Sequence, residues 1–390
     1  MFAIQTLNKI AACGLDRLPR DKYETATEIQ NPVGILVRSA DMHSMSLPPS
    51  LLAIARAGAG TNNIPINLCS ERGIVVFNTP GANANGVKEL VIAAMLLSSR
   101  KIIEGINWTQ SLKGKGDEVP GLVEKGKAEF VGPEIQGKTL GVIGLGAIGV
   151  MVANAGISLG MKVLGYDPYI SVEGAWKLSR DVIKSNSIDA LISESDYITI
   201  HVPLTPETKG VFSKERLARV KKGARIINLS RSGLVDNEAL TQEIKSGAIA
   251  AYVTDFPEDE LLGIPNVYCI PHLGASTPES EDNCAIMAAD QLREYLERGN
   301  IKNSVNFPDC EMATSGKDRI IVMNKNVPNM VGQITTVLAK RNLNIEDMIN
   351  KHKGDMAYNI IDVSGTIDPQ LESDLLAIEG VVRVRIIPNC

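Results

Sequence analysis

The stretch Leu140–Ala153, LGVIGLGAIGVMVA, decides how the rest of the chain is read. It starts as a short apolar run, passes through three closely spaced glycines, and continues as a second apolar run without turn residues. That order is a strand, a tight turn and a helix. The glycines fall as Gly144-x-Gly146-x-x-Gly149. In such a turn the first glycine permits the sharp bend. The second lets the backbone approach a pyrophosphate, and the third lets the helix pack closely on the strand. The helix start offers free N–H groups and a partial positive charge to the phosphates. The spacing alone is a weak signal; its place between a strand and a helix makes it a dinucleotide cradle.

Outward from this turn the pattern repeats. TLGVIGLG, MKVLGYD, YITIHVP, ARIINLS, AYVTDF and VYCIPH are nearly continuously apolar, like strands of a parallel sheet covered on both faces. Helix-like segments separate most of them. This predicts a Rossmann-type, doubly wound α/β domain. Upstream, GILVRS and IVVFNT read as strands. NGVKELVIAAMLLSSRKIIEGI reads as one long helix, with Val87, Leu90, Val91, Ala94, Met95 and Leu97 at helical spacing. Downstream, ESEDNCAIMAADQLREYLERGN is an amphipathic helix stopping near Gly299. The polar, turn-rich NSVNFPDCEMATSGKD predicts a linker. Beyond it the order β-α-β-β-α-β predicts a small ferredoxin-like α+β domain. A chain of 390 residues has room for these two or three domains.

Composition excludes several classes of function. The formal net charge is −5, whereas a nucleic-acid surface needs a basic stripe. Aromatic residues make up only 4%, too few for base stacking to be expected. No apolar run approaches the roughly 20 residues that cross a bilayer, and the N-terminus lacks the features of a secretory leader. The six cysteines are scattered without a CxxC pair, which predicts neither a disulfide frame nor a metal site. A cytoplasmic enzyme without nucleic-acid or membrane partners is the expectation.

Four polar residues stand at ends of the apolar strands. Asp167 ends MKVLGYD, roughly 20 residues past the glycines, where a carboxylate accepts from ribose hydroxyls and repels an added phosphate. This predicts NAD rather than NADP. Arg231, Glu260 and His272 follow the last three strands, and ligands of open α/β sheets bind outside those strand ends. The chain has four histidines, and His272 is the one placed for proton transfer. Hydride transfer to or from a hydroxy acid needs such a set. A histidine moves the hydroxyl proton, a carboxylate orients it and stabilises its charged form, and an arginine grips the substrate carboxylate.

GLGAIG followed by Asp167, then NLSRSGLVD, TDFPEDE and PHLGAST, resembles the D-2-hydroxyacid dehydrogenase family over nearly the whole chain. The resemblance implies an NAD-dependent dehydrogenase with His272 as acid/base, Arg231 as the substrate-binding arginine and Glu260 as the carboxylate paired with His272. It implies that Thr79, Gly144, Gly146, Ala147, Ile148, Gly149, Asp167, Val202, Leu229, Ser230, Asp255, His272 and Gly274 line the NAD. It also implies a discontinuous, flavodoxin-like substrate domain. The expected boundaries are residues 1–92 with 280–307 for that domain, 93–279 for the NAD domain, 308–317 for the linker and 318–390 for the last domain. RAGAGTNN resembles the family's substrate loop, with the N–H groups of Gly58, Ala59 and Gly60 holding a carboxylate. Arg38, Ser39 and Arg56 are candidates for a substrate phosphate. Two departures stand out. Ser232 replaces a glycine after the arginine, and DFPEDELL is one residue short of the family's run, so Glu258 or Asp259 competes with Glu260.

The C-terminal segment IVMNKNVPNMVGQITTVLAKRNLNIEDM resembles an ACT domain, an amino-acid-sensing module that pairs between subunits. Asn324, Asn326 and Asn344 are its candidate effector contacts, although Asn324 and Asn329 stand where relatives carry histidine and glycine. Within the family this tail implies 3-phospho-D-glycerate as substrate, L-serine as effector, and a homodimer or homotetramer. The alternatives are a dehydrogenase of glycerate, lactate or 2-hydroxyglutarate, and an NAD-sensing scaffold without turnover.

Overall fold

The computed structural model describes residues 1–390. The chain divides into two compact units, Asn83–Ser280 and Met1–Ala82 with Glu281–Cys390.

The contiguous unit is built on seven parallel strands. Their order is Val267–Cys269, Ile249–Thr254, Ala224–Asn228, Tyr197–Ile200, Thr139–Ile143, Lys162–Tyr166 and Ile183–Lys184. Sequence order reverses direction at the Thr139–Ile143 strand, beside which doubly wound sheets bind ligands. Helices on both faces explain the continuously apolar strands: Leu140 and Val142 join one core, Ile143, Ile198 and Ile200 the other. Helix Ala84–Arg100 belongs wholly to this unit, so the division falls before it rather than at residue 93. It buries Val87, Val91, Ala94 and Met95 against the helix Ala147–Ser158 and the sheet. The expected single helix is interrupted at Lys101, in a left-handed conformation (φ 46°), and resumes as Ile102–Ser111.

The discontinuous unit holds two sheets. Five parallel strands run in the order Tyr23–Ala26, Phe2–Leu7, Gly34–Val37, Ala53–Arg56 and Val75–Phe77, the flavodoxin-like arrangement. Helix Pro278–Arg298, which spans the division, brings Ala285, Ala288, Ala289, Leu292 and Tyr295 into their core. The second sheet is antiparallel, ordered Asn344–Lys353, Met356–Ser364, Asp318–Lys325 and Val381–Ile387. One of its faces packs Ile320, Val322, Ile361 and Val363 on its own helices Met330–Lys340 and Leu371–Leu376. The other face, with Ile321, Met323, Tyr358 and Ile360, shares a core with Phe77, Tyr295 and Phe307. Residues 308–317, expected as a linker, are packed into the same unit: Cys310 and Met312 are buried, and Cys310 bridges Ile301. The stretch looked like a linker because its turn residues hide its few buried apolar anchors.

Candidate active site

Two glycines of the turn have distinct steric reasons. Gly144 has φ 89°, and a Cβ there would lie 2.5 Å from the His201 carbonyl oxygen. A Cβ on Gly149 would lie 1.9 Å from the Gly144 carbonyl oxygen. A Cβ on Gly146 would meet nothing within 4 Å, so the space beside this residue is open. Helix Ala147–Ser158 begins there, leaving its first N–H groups unpaired. Asp167 Oδ2 accepts from Leu145 N at 2.7 Å and Oδ1 from Tyr169 N at 2.8 Å, so the carboxylate is fixed beside the turn. An open cradle at a helix start, with a fixed acid at the next strand end, fits a dinucleotide. His201 flanks the turn with Nε2 2.9 Å from Thr199 Oγ1 and a buried, unpartnered Nδ1. Burial pushes its pKa down to about 4, which keeps it neutral at pH 7.

The next strand ends carry the polar set. Asn228, not singled out from the sequence, shapes the turn that presents Arg231: its Oδ1 accepts from Ser230 N at 3.2 Å and its Nδ2 donates to the Arg231 carbonyl at 2.9 Å. Ser230 Oγ donates to the Val202 carbonyl at 2.7 Å, tying two expected NAD-lining segments together. Leu229 is buried beneath them. Arg231 keeps an exposed guanidinium, with one N–H on the Ser230 carbonyl at 2.6 Å.

Asp255 is buried, and its Oδ1 has no partner. Desolvation raises its pKa, opposed by the charges of His272 and Arg231. Those three groups therefore share one electrostatic environment. The His272 ring stands 4.8 Å from the Phe256 ring, and Gly274 lies beside Asp255, where a Cβ would be 3.7 Å from Oδ2.

The acidic run departs from expectation. Glu260 is exposed in the short turn Asp259–Leu261, and no ion pair links it, Glu258 or Asp259 to His272. Glu258 is held by Ser232 Oγ at 2.5 Å and Asn237 Nδ2 at 3.0 Å. Counting along the chain fixed the position of Glu260 but not the direction of its side chain through the turn. Ser232 is more than a small stand-in for glycine, since its hydroxyl engages this acid.

In the discontinuous unit, the loop after strand Ala53–Arg56 carries Gly58, Ala59 and Gly60. The N–H of Gly58 is already spent on the Arg56 carbonyl at 2.9 Å, so only those of Ala59 and Gly60 remain free. Arg56 donates to the carbonyls of Arg38 and Gly60 and so braces the loop. Arg38 is paired with Glu281 at 2.6 Å. The turn at Ser39 hangs on Asn8, whose Oδ1 accepts from the N–H groups of Ser39 and Ala40. Thr79 is fully buried in this unit, its N–H on the Gly58 carbonyl at 3.1 Å.

The three asparagines expected to contact an effector are not gathered within one chain. Asn324 is buried, donating to the Lys325 carbonyl and accepting from Asn359 Nδ2. Asn326 donates to the Gly354 carbonyl, and Asn344 to Glu346. Asn324 is opposite Ala357 and Asn344 opposite Ser364, which at strand spacing is roughly 23 Å. Asn329 adopts φ 68° in place of the usual glycine.

No group of His, Cys, Asp and Glu side chains is arranged to hold a metal ion. The glycine turn, the fixed acid and the strand-end polar set together define a nucleotide-binding α/β oxidoreductase. Residues 92–274 match the family model of the D-isomer specific 2-hydroxyacid dehydrogenase, NAD binding domain. The D-3-phosphoglycerate dehydrogenase of Methanocaldococcus jannaschii is 34% identical, over 88% of this chain and 64% of that one. D-3-phosphoglycerate dehydrogenase 1 of Saccharomyces cerevisiae is 32% identical, over 81% of this chain and 68% of that one. The chain belongs to the D-isomer specific 2-hydroxyacid dehydrogenases. Among solved structures, the NAD+-bound 3-phosphoglycerate dehydrogenase of Entamoeba histolytica superposes with TM-score 0.58 at 26% identity, over 78% of this chain and 98% of that one. The chain spans only 50–64% of the length of some curated relatives it matches.

Proposed function

We propose that the protein interconverts 3-phospho-D-glycerate and 3-phosphohydroxypyruvate with NAD, the first step toward L-serine. The observation that carries this reading is the alignment of Arg231, Asp255 and His272 just past the ends of three adjacent parallel strands, in the sheet that also carries the glycine turn. The names of the curated relatives support the substrate.

When bound, NAD supplies the carbon that accepts a hydride. His272 takes the hydroxyl proton as the hydride leaves and returns it to the ketone oxygen in reverse. Asp255, rather than Glu260, stabilises the charged imidazole. Arg231 is the residue of the contiguous unit suited to hold a substrate carboxylate with parallel N–H bonds; in the discontinuous unit, the free N–H groups of Ala59 and Gly60 are the candidate carboxylate donors. Asp167 receives the ribose hydroxyls and disfavours NADP.

One observation favours a second reading. Arg38 is paired with Glu281, and Arg56 is occupied by two carbonyls. Neither is a free cation awaiting a phosphate, which suits an unphosphorylated 2-hydroxy acid such as glycerate, lactate or 2-hydroxyglutarate. An effector site for L-serine built from Asn324, Asn326 and Asn344 would need two chains, so it goes with the homo-oligomer. No helix is long and apolar enough to cross a membrane.

The deciding measurement is NADH and NADPH oxidation with 3-phosphohydroxypyruvate, hydroxypyruvate and pyruvate, with and without L-serine. The expected result is the highest kcat/KM with 3-phosphohydroxypyruvate and NADH. Preference for an unphosphorylated ketone selects the second reading, equal use of NADPH removes the role of Asp167, and absence of all turnover leaves a scaffold.

A further inference from the structure

The two free N–H groups of the substrate loop belong to two successive peptide planes. A trans peptide holds its C=O and N–H antiparallel in one plane. Fixing the Gly58 carbonyl therefore aims the Ala59 N–H, and fixing the Ala59 carbonyl aims the Gly60 N–H. Both carbonyls are fixed from one place. Thr79 N donates to the Gly58 carbonyl at 3.1 Å, and Asn78 Nδ2 donates to the Ala59 carbonyl at 2.6 Å. The first bond is backbone and indifferent to side-chain identity. The second depends on the Asn78 amide alone.

Asn78 is itself held. Its N–H donates to the Asn303 carbonyl at 3.4 Å, and its carbonyl accepts from Gln291 Nε2 at 3.0 Å. Asn303 Nδ2 closes the ring on Gln291 Oε1 at 2.8 Å. The adjoining Ser304 bridges Phe77, and its carbonyl accepts from Lys353 Nζ at 2.8 Å. Lys353 ends the edge strand of the C-terminal sheet. A continuous set of hydrogen bonds thus runs from that domain to the loop inside one chain.

Resting on the reading that this loop receives the substrate carboxylate, we propose that Asn78 is a positioning residue for the Ala59 and Gly60 donors, and that Lys353 steadies Asn78 through residues 303–304. The side chain acts on substrate affinity, since it touches the loop and not the groups that move the proton or the hydride. The role needs the amide as a donor, so an isosteric carboxylate does not replace it.

The test has two readouts in the full-length protein. Hydrogen exchange at the Ala57 and Gly58 amides, which are bonded to the Val37 and Arg56 carbonyls, reads the loop without any substrate. Asn78→Asp and Asn78→Ala are expected to speed exchange there at least fivefold while the Asn83–Ser280 unit is unchanged. Steady-state kinetics with whichever 2-oxo acid the wild type turns over reads the consequence. KM is expected to rise about tenfold with kcat within threefold and NADH affinity unaltered. Lys353→Met is expected to speed loop exchange and raise KM by two- to fivefold alone, and to add nothing in the Asn78→Ala background, as members of one network do. Wild-type exchange in Asn78→Asp, an equal loss in kcat and KM, or additive effects of the two substitutions would overturn the proposal. If the wild type turns over nothing, the functional reading fails, while the exchange data still decide the role of Asn78.

Discussion

The imidazole of His272 has an aromatic neighbour in Phe256, with ring centres 4.8 Å apart, and shares its field with the buried carboxylate of Asp255. Replacing His272 with asparagine should lower kcat by about 10²–10⁴-fold and leave NADH binding, read by fluorescence, intact. The buried Asp255 carboxylate shares the field of the imidazole, so Asp255→Asn should lower kcat by at least about tenfold. If kcat is kept in Asp255→Asn but lost in Glu260→Gln, the orienting role returns to Glu260. Residue types at strand ends were legible in the sequence because the sheet aligns those ends. The direction of a side chain on a turn was not, so spacing alone does not say which acid of residues 258–260 faces His272. Asn8, Asn78 and Asn228 carry no distinctive mark for a related reason. Their work is local hydrogen bonding to a neighbouring backbone, and its only trace in sequence is an asparagine where a strand stops.

Among the elements, the strand-turn-helix around Gly144–Gly149 was the most legible, because Gly144 and Gly149 answer steric demands that no other residue meets. Alanine at Gly149 must push its Cβ into the Gly144 carbonyl 1.9 Å away. The helix can relieve this only by moving off the strand. We expect Gly149→Ala to cost roughly 1–3 kcal/mol in urea unfolding and to weaken NADH binding at least tenfold, because the helix start moves with it. Unchanged affinity would mean that the cradle tolerates the shift. The break at Lys101 was invisible by contrast. No glycine or proline stands at it, and the polar run Ser98–Lys101 reads equally well as an exposed turn of a continuous helix. Its left-handed backbone is carried by a lysine, which seldom adopts that conformation.

At the scale of the whole molecule, the βαββαβ order of the last domain was readable and its docking was not. A sign was present in RIIVMNKN, which alternates between two buried sets instead of one buried and one polar set. Between those apolar sets sits Arg319, with no exposed surface, paired with Asp362 through Nε–Oδ1 at 2.7 Å and Nη2–Oδ2 at 3.0 Å. Its remaining donors reach the carbonyls of Arg298, Met312 and Ala313, outside the sheet. Asp362→Asn leaves that buried cation uncompensated and should cost roughly 3–5 kcal/mol. Arg319→Met with Asp362→Leu should recover most of the loss. Urea midpoints will separate these. Because the two sheets share a core, the loss should appear in one transition of the discontinuous unit rather than as early release of the C-terminal domain.

That shared core also bears on how the molecule is made. Residues 2–77 supply five strands, but the helix that seals one face of their sheet begins at Pro278, and the side chains that complete the core lie as far on as Ile360. A ribosome delivering the chain at about 5–20 residues per second therefore leaves the opening segment without its partners until translation is well past residue 280. The stretch Asn83–Ser280 is contiguous and can close first. Residues 2–77 thus emerge before Asn83–Ser280 but complete their core after it, and in the interval their apolar strands are open to chaperones.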